Sequence, residues 1–341
     1  MARIFTWTGR GGDGGGTAWL QKQFESSYIF TGTPEMANVP EMGGNCLEMP
    51  MGGCGLRLAS GTLSDIYIGM RVKPKGWGDG SRLLAFQVGT TPMATVRRYG
   101  YSTGPPFPCF YGYRGDDATL LGGGAIPAAW DGVYYVEVYY KPDPTSGRLV
   151  IKINGRIDCD YTGQTVAASQ TTFDELWLGG GYGNDYVGWY INDIVVDNAN
   201  WPGMCNMAVL APDGVGNANQ WSPSAGANWE CVDEKIPSPT DYNHINSAAQ
   251  VDSFAVEALP AAAVAVKSVN VHVFPVKEGT PTPTQVAPLL RTGSTDYEGS
   301  GGVAGIYMKD IKTIWEENPN TTDPWAVSEV NAMEMGYKSA T

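Results

Sequence analysis

Val133-Tyr134-Tyr135-Val136-Glu137-Val138-Tyr139-Tyr140-Lys141, then Pro142-Asp143-Pro144-Thr145-Ser146-Gly147, then Arg148-Leu149-Val150-Ile151-Lys152-Ile153-Asn154-Gly155 reads as strand, turn, strand, turn. The first run is rich in the β-branched and aromatic residues that suit a pleated, half-buried surface. The Pro-Asp-Pro-Thr-Ser-Gly run is turn chemistry. In the second strand Leu149, Ile151 and Ile153 share one face. Asn154-Gly155 then closes a hairpin, because a type I′ turn needs φ > 0 at both central residues.

Moving outward, Asp65 to Lys73 alternates: Ile66, Ile68, Met70 and Val72 face one way, Asp65, Tyr67, Arg71 and Lys73 the other. That is a half-buried strand. Leu83 to Val88, Glu175 to Leu178 and Trp189 to Val196 add further strands, and residues 25–200 contain no helix of ordinary length. Many short strands between turns predict a sandwich or jelly roll.

The 341 residues suggest two domains, and the strand pattern breaks at Asp197 to Gly203. The expected organisation is an extended Gly-rich arm over 1–20, a jelly roll over 21–200 and a second β-sandwich over 201–341. The arm would be a flexible linker or a strand lent to a neighbour. In the second module strands are expected at Met204 to Leu210, Cys231-Val232, Asp252 to Val256, Lys267 to Phe274, Gln285 to Arg291 and Gly305 to Trp315. Val269, Val271 and Val273 would point inward. Asp323-Pro324 reads as the start of one short helix through Trp325, Ser328, Val330 and Met333, stopped by Gly336. The fold expected is all-β: two β-sandwich (jelly-roll) domains in series, the second with one short C-terminal helix.

Composition narrows the function. The net charge is −13, with 22 basic against 35 acidic residues. Residues 201–341 carry 7 basic and 16 acidic groups, so most of the excess lies there. No basic patch stands ready to neutralise phosphates or an anionic bilayer, so neither nucleic acid nor membrane is expected as a partner. No apolar run approaches a membrane span, and no apolar leader follows Met1. The Gly9 to Gly16 run lacks the strand, helix and Lys-Ser/Thr of a phosphate loop. The six cysteines (Cys46, Cys54, Cys109, Cys159, Cys205, Cys231) form no Cys-x-x-Cys pair. They read as free thilos in a reducing cytosol rather than a zinc site, and any disulfide pairing stays open.

Catalytic groups are scarce. The two histidines, His244 and His272, lie in a polar loop and on an outward strand face, without a nucleophile elbow. Among the acids, Asp158 and Asp160 share a face beside a turn, Asp174 and Glu175 point to opposite faces, and Asp116-Asp117 lies in a loop. None forms the acid–x–acid–x–x–acid run that would bring two carboxylates to the roughly 5–5.5 Å of a retaining glycosidase. Weak calcium candidates are Asp185, beside Asn184, and Asp193. The aromatics Tyr99, Tyr101, Phe107, Phe110, Tyr111 and Tyr113 crowd a Pro-rich stretch expected to be a long stiff loop. They are the expected contact to a glycan or a neighbouring subunit. Neither a catalytic site nor a cofactor is expected.

Trp130, the strands quoted first, Phe173-Asp174-Glu175-Leu176-Trp177-Leu178-Gly179 and Tyr190 to Asp197 resemble the middle and closing strands of laminin G-like and concanavalin A-like sandwiches. In the second part, Val209 to Gly214, Gln220-Trp221-Ser222-Pro223-Ser224, Val232-Asp233-Glu234, Asp252-Ser253-Phe254, Leu290-Arg291-Thr292-Gly293, Asp323-Pro324-Trp325 and Glu334-Met335-Gly336 are similar to a module of bacteriophage virion structural proteins. The resemblance implies a structural component of the virion (capsid decoration, tail or fibre), made in the host cytoplasm and acting through contacts with other virion proteins and copies of itself. It carries no catalytic residue over. The alternatives are a glycan-binding adhesin on the same particle and, third, a polysaccharide-cleaving jelly roll, since the concanavalin A-like fold includes glycoside hydrolases.

Overall fold

The computed structural model describes residues 3–7, 26–29, 35–42, 44–49, 54–75, 81–99, 108–115, 119–129, 131–167, 169–179, 188–235, 238, 240–279 and 283–340. It is all-β and divides into two compact units, Met1–Met207 and Ala208–Thr341.

The first unit is a sandwich of two antiparallel sheets. The back sheet runs, in spatial order, Arg156–Gly163, Gly147–Ile153, Tyr134–Lys141, Ile66–Lys75, Gly188–Asp197, Gly44–Met49 and Glu35–Val39. The front sheet runs Thr119–Pro127, Cys109–Arg114, Thr91–Tyr99, Ser81–Val88, Phe173–Gly179, Cys54–Leu63 and Ser26–Ile29. The alternation of Ile66, Ile68, Met70 and Val72 is realised: all four are fully buried. They share one core with Phe86, Val96, Phe110, Val138, Tyr140, Phe173 and Leu178. Phe86 joins the two sheets, its ring 4.3 Å from Tyr140 and 5.4 Å from Phe173. The hairpin at Asn154-Gly155 forms as read, joining Gly147–Ile153 to Arg156–Gly163, with φ of 50° and 77°.

Three expectations change in this unit. Arg3–Trp7 is no free arm but a strand on Ile194 to Asp197 of its own back sheet. Gly44–Met49 pairs only with Trp189 to Ile191 of that strand, and the backbone beyond the bulge is taken by the N-terminal run. The unit boundary falls after Met207 rather than near residue 200. Residues 201–207 are irregular, not the start of a strand, and lie across the outer face of the back sheet. Trp201 packs 5.2 Å from Tyr67 with Lys152 Nζ 3.4 Å from its ring centre. The Gly203 amide donates to Glu137 (2.9 Å), Cys205 Sγ meets Tyr135 Oη (3.2 Å), and Asn206 meets Arg71. These contacts bind the segment more firmly than its sequence suggests.

The second unit has a sheet ordered Pro212–Asn219, Val251–Val256, Glu334–Ala340, Gln285–Thr292 and Thr295–Glu298, with Gly302–Val303 also on Gln285–Thr292. A ribbon of Val269–Val273 and Ile311–Trp315 packs on it through Val269, Val271, Leu290 and Trp325. The strand expected from Gly305 is confined to Ile311–Trp315, and Cys231 ends a 3-10 turn, Asn228–Cys231. The late helix is a single turn, Val327–Val330, with Glu329 Oε2 accepting the Ala326 amide at 2.8 Å. Gly336 does not stop it. It sits in a central strand, where a Cβ would lie 1.9 Å from the Asp252 carbonyl oxygen, so close strand approach requires glycine.

Cys46, Cys159 and Cys231 carry free thiols, and the side chain of Cys54 lies outside the described residues. Burial pushes the Cys46 thiol up to about 12 and those of Cys109 and Cys159 to about 11. At pH 8 these three are therefore thiols, and disulfide-exchange labelling of the native protein should proceed far more slowly at them than after unfolding. Equal rates in both states would contradict this. Replacing Phe86 by Ala should cost about 3–5 kcal/mol in urea unfolding, as for other buried aromatics; a loss under about 1 kcal/mol would show that the inter-sheet core does not depend on it.

Candidate functional site

Alternation on the front sheet sends a second set of side chains outward. The register lines up Tyr113, Thr95, Ala85, Trp177 and Arg57 in one row across five strands. A second row runs Tyr111, Arg97, Arg82, and Gln87 stands opposite Glu175 on the other side. Paired residues of antiparallel strands share a face, so these side chains form one surface. Thr95 and Ala85 are fully buried although they point away from the core. Arg97, Tyr111 and Trp177 are buried as well, and Tyr99 and Tyr113 are partly exposed at one end.

Three tyrosines touch there: Tyr99 lies 5.9 Å from Tyr111 and 5.6 Å from Tyr113, which are 6.5 Å apart. Burial, with lesser help from Cys109 and Asp158, pushes the Tyr111 phenol above its ordinary value, so it is a neutral hydroxyl at physiological pH. At the other end Glu175 joins two neighbours, accepting from Arg57 Nη1 at 2.9 Å and from Trp177 Nε1 at 2.6 Å. Between the ends stand Arg82 and Arg97. Aromatic faces can stack on sugar rings, and a guanidinium fork can hold carboxylate or hydroxyl oxygens.

The expected aromatic contact is redistributed. Phe110 belongs to the core, stacked 5.9 Å from Trp189, because it occupies the opposite phase of its strand from Tyr111 and Tyr113. Tyr99 ends one strand and Phe110, Tyr111 and Tyr113 lie in the next, so they are strand residues and not part of a loop. Tyr101 and Phe107 lie outside the described residues, as does Asp185. Asp193 is unsuited to calcium. It is fully buried at φ 51°, paired with Arg71 Nε at 3.2 Å and accepting the Met207 amide at 3.4 Å. Among the described residues no three His, Cys, Asp or Glu side chains converge.

The acids are likewise separated. Asp158 is the extra residue of a bulge and accepts the amides of Gly124 (3.2 Å) and Ile126 (2.6 Å), whereas Asp160 makes a two-pronged pair with Arg148 at 2.9 Å. Asp174 caps the Gly89 amide at 2.8 Å, and Asp116-Asp117 lies outside the described residues. His272 Nδ1 meets Asp310 at 2.9 Å on the second unit's ribbon. Sequence reading passed over Arg57, Arg82, Arg97 and Trp177 as site residues. Their signal was present as polar or aromatic residues in the phase opposite an apolar set: Thr95-x-Arg97-x-Tyr99, Tyr111-x-Tyr113, Glu175-x-Trp177.

No protein-family model matches the chain, and no curated protein does. Among solved structures it is similar to alginate lyase Aly36B, at 15% identity over 58% of this chain and 97% of that one, with a TM-score of 0.42. It is also similar to the cellulose-induced protein Cip1 (14%, 52% and 90%, TM-score 0.38). A third is the carbohydrate-binding module CBM66 from Bacillus subtilis (16%, 50% and 94%, TM-score 0.34). At these values no residue role passes from them to this chain.

Replacing Glu175 by Ala removes the acceptor of both Arg57 and Trp177. It should cost about 1–3 kcal/mol in urea unfolding; an unchanged midpoint would mean that this bridge does not organise the face.

Proposed function

We propose that this chain is a non-catalytic attachment protein whose first unit holds glycan on the outer face of its front sheet. The observation that carries the reading is the shared surface of Tyr99, Tyr111, Tyr113, Arg97 and Trp177, assembled from three strands by register alone. Rigid rings on a sheet lose little freedom on binding, which favours stacking on a sugar ring. Among the described residues the acid on this face is Glu175, tied to two neighbours, which supports holding over hydrolysis by a carboxylate pair.

The setting we propose is the one the sequence resemblance implies, the surface of a phage particle. A second contact would then join the chain to other virion proteins or to its own copies. The second unit offers Val276, Val303, Ile306 and Tyr307, each more than half exposed and gathered around the Val276–Gly305 bridge. Clustered exposed apolar residues of this kind mark protein contacts.

The test is a glycan array with the full chain, followed by titration of the best ligand. Tyr99→Ala and Tyr113→Ala, at the two partly exposed rings, should each weaken binding about tenfold, the loss expected for one stacked ring. An array without a hit, or unchanged affinity in both variants, would contradict the reading. So would release of cleaved product by the wild-type chain.

A further inference from the structure

We propose that the sugar is of the 6-deoxyhexose class and that Leu120 receives its methyl group. This rests on the attachment reading above and adds the chemical class of the ligand and the residue that selects it.

Three observations meet at this point. Thr119–Pro127 is the edge strand of the front sheet, and its Leu120 lies directly across from Tyr113. Paired residues share a face, so Leu120 stands outward beside that ring, while Leu121 next to it turns into the core. Tyr113 in turn lies 5.6 Å from Tyr99. The leucine and the two rings thus form one strip at the end of the face.

Next, this strip is where the face is open. Leu120 is 54% exposed and Tyr99 and Tyr113 are partly exposed, whereas Tyr111 is buried. The glycines that follow explain the difference. Gly123 and Gly124 hold φ of 117° and 85°, and a Cβ on Gly124 would come within 2.6 Å of the Tyr111 ring. The edge strand therefore closes over Tyr111 and leaves Leu120 open. A lone exposed leucine is ordinary, but one in register with two partly exposed rings makes a continuous apolar contact.

The third observation is chemical. Leu120 has no group that can bond a hydroxyl. The polar side chains beside it engage one another, Arg114 Nη2 donating to Thr119 Oγ1 at 3.2 Å. A pyranose stacked on Tyr113 with its C5 substituent toward the strand edge lays that substituent on Leu120. A hydroxymethyl group there covers a hydroxyl without giving it a partner, whereas a methyl group covers only apolar surface.

The experiment uses the full chain and pairs of methyl glycosides that differ only in the 6-hydroxyl: L-rhamnose against L-mannose, L-fucose against L-galactose, and D-quinovose against D-glucose. Binding is titrated by NMR. The expected result is that at least one deoxy sugar binds about tenfold tighter than its hydroxylated partner, the effect of one hydroxyl left unbonded. Leu120→Ala should remove most of that difference, and Leu120→Asn, which offers an amide to the hydroxyl, should abolish it. Leu120 is exposed, so thermal melts of both variants should match the wild type. Tyr99→Ala should weaken both members of a pair alike. Equal binding within every pair, or tighter binding of the hydroxylated member, overturns the deoxy class but leaves attachment standing. A preference unchanged in both Leu120 variants overturns the assignment to Leu120. Array hits confined to sugars without a 6-deoxy position also overturn the class, and binding to nothing overturns both.

Discussion

The inter-sheet core of the first unit, centred on Phe86 between Tyr140 and Phe173, is the constraint on which the rest depends. Side chains of a strand alternate with a period of two, so a one-residue slip would exchange the buried and outward sets. The register that buries Leu84, Phe86, Val96, Phe110 and Leu178 is therefore also the register that lays out Arg82, Thr95, Arg97, Tyr111 and Trp177. The candidate face is a consequence of the core. No loop conformation is needed to assemble it, and its side chains inherit the rigidity of a close-packed interior.

The two outer faces of the sandwich are used differently. On the back sheet, Trp201 and the irregular residues after it cover Tyr67, Tyr135 and Tyr139 and engage Glu137 and Asp193. On the front sheet the rings of Tyr99, Tyr111 and Tyr113 stand in a cluster whose two partly exposed members, Tyr99 and Tyr113, lie at one end of the outward face.

Much of the sandwich was legible because its strands are simple. Ile66 to Val72 alternate without interruption, and Asn154-Gly155 can do little except turn. The failures have physical causes. Met333 and Gly336 fit a helical period equally well, but pairing of Glu334–Ala340 between two strands outweighs weak local preference in a stretch only a few residues long. Met204 to Leu210 has strand-like residues yet is irregular, and its first residues pack through side chains instead. The six aromatics were read as a unit because they are close in sequence, although Phe110 has the opposite phase from Tyr111 and Tyr113. The arginines were missed for the converse reason. Arg57, Arg82 and Arg97 come from three strands, and only the pairing of Thr91–Tyr99, Ser81–Val88, Phe173–Gly179 and Cys54–Leu63 brings them onto one surface. Long-range register of that kind leaves little local trace.

The most direct measurement is an experimental structure of the chain with an oligosaccharide bound. The account predicts sugar density over the partly exposed rings of Tyr99 and Tyr113. Sugar bound at any other surface, with the front-sheet face empty, would contradict it.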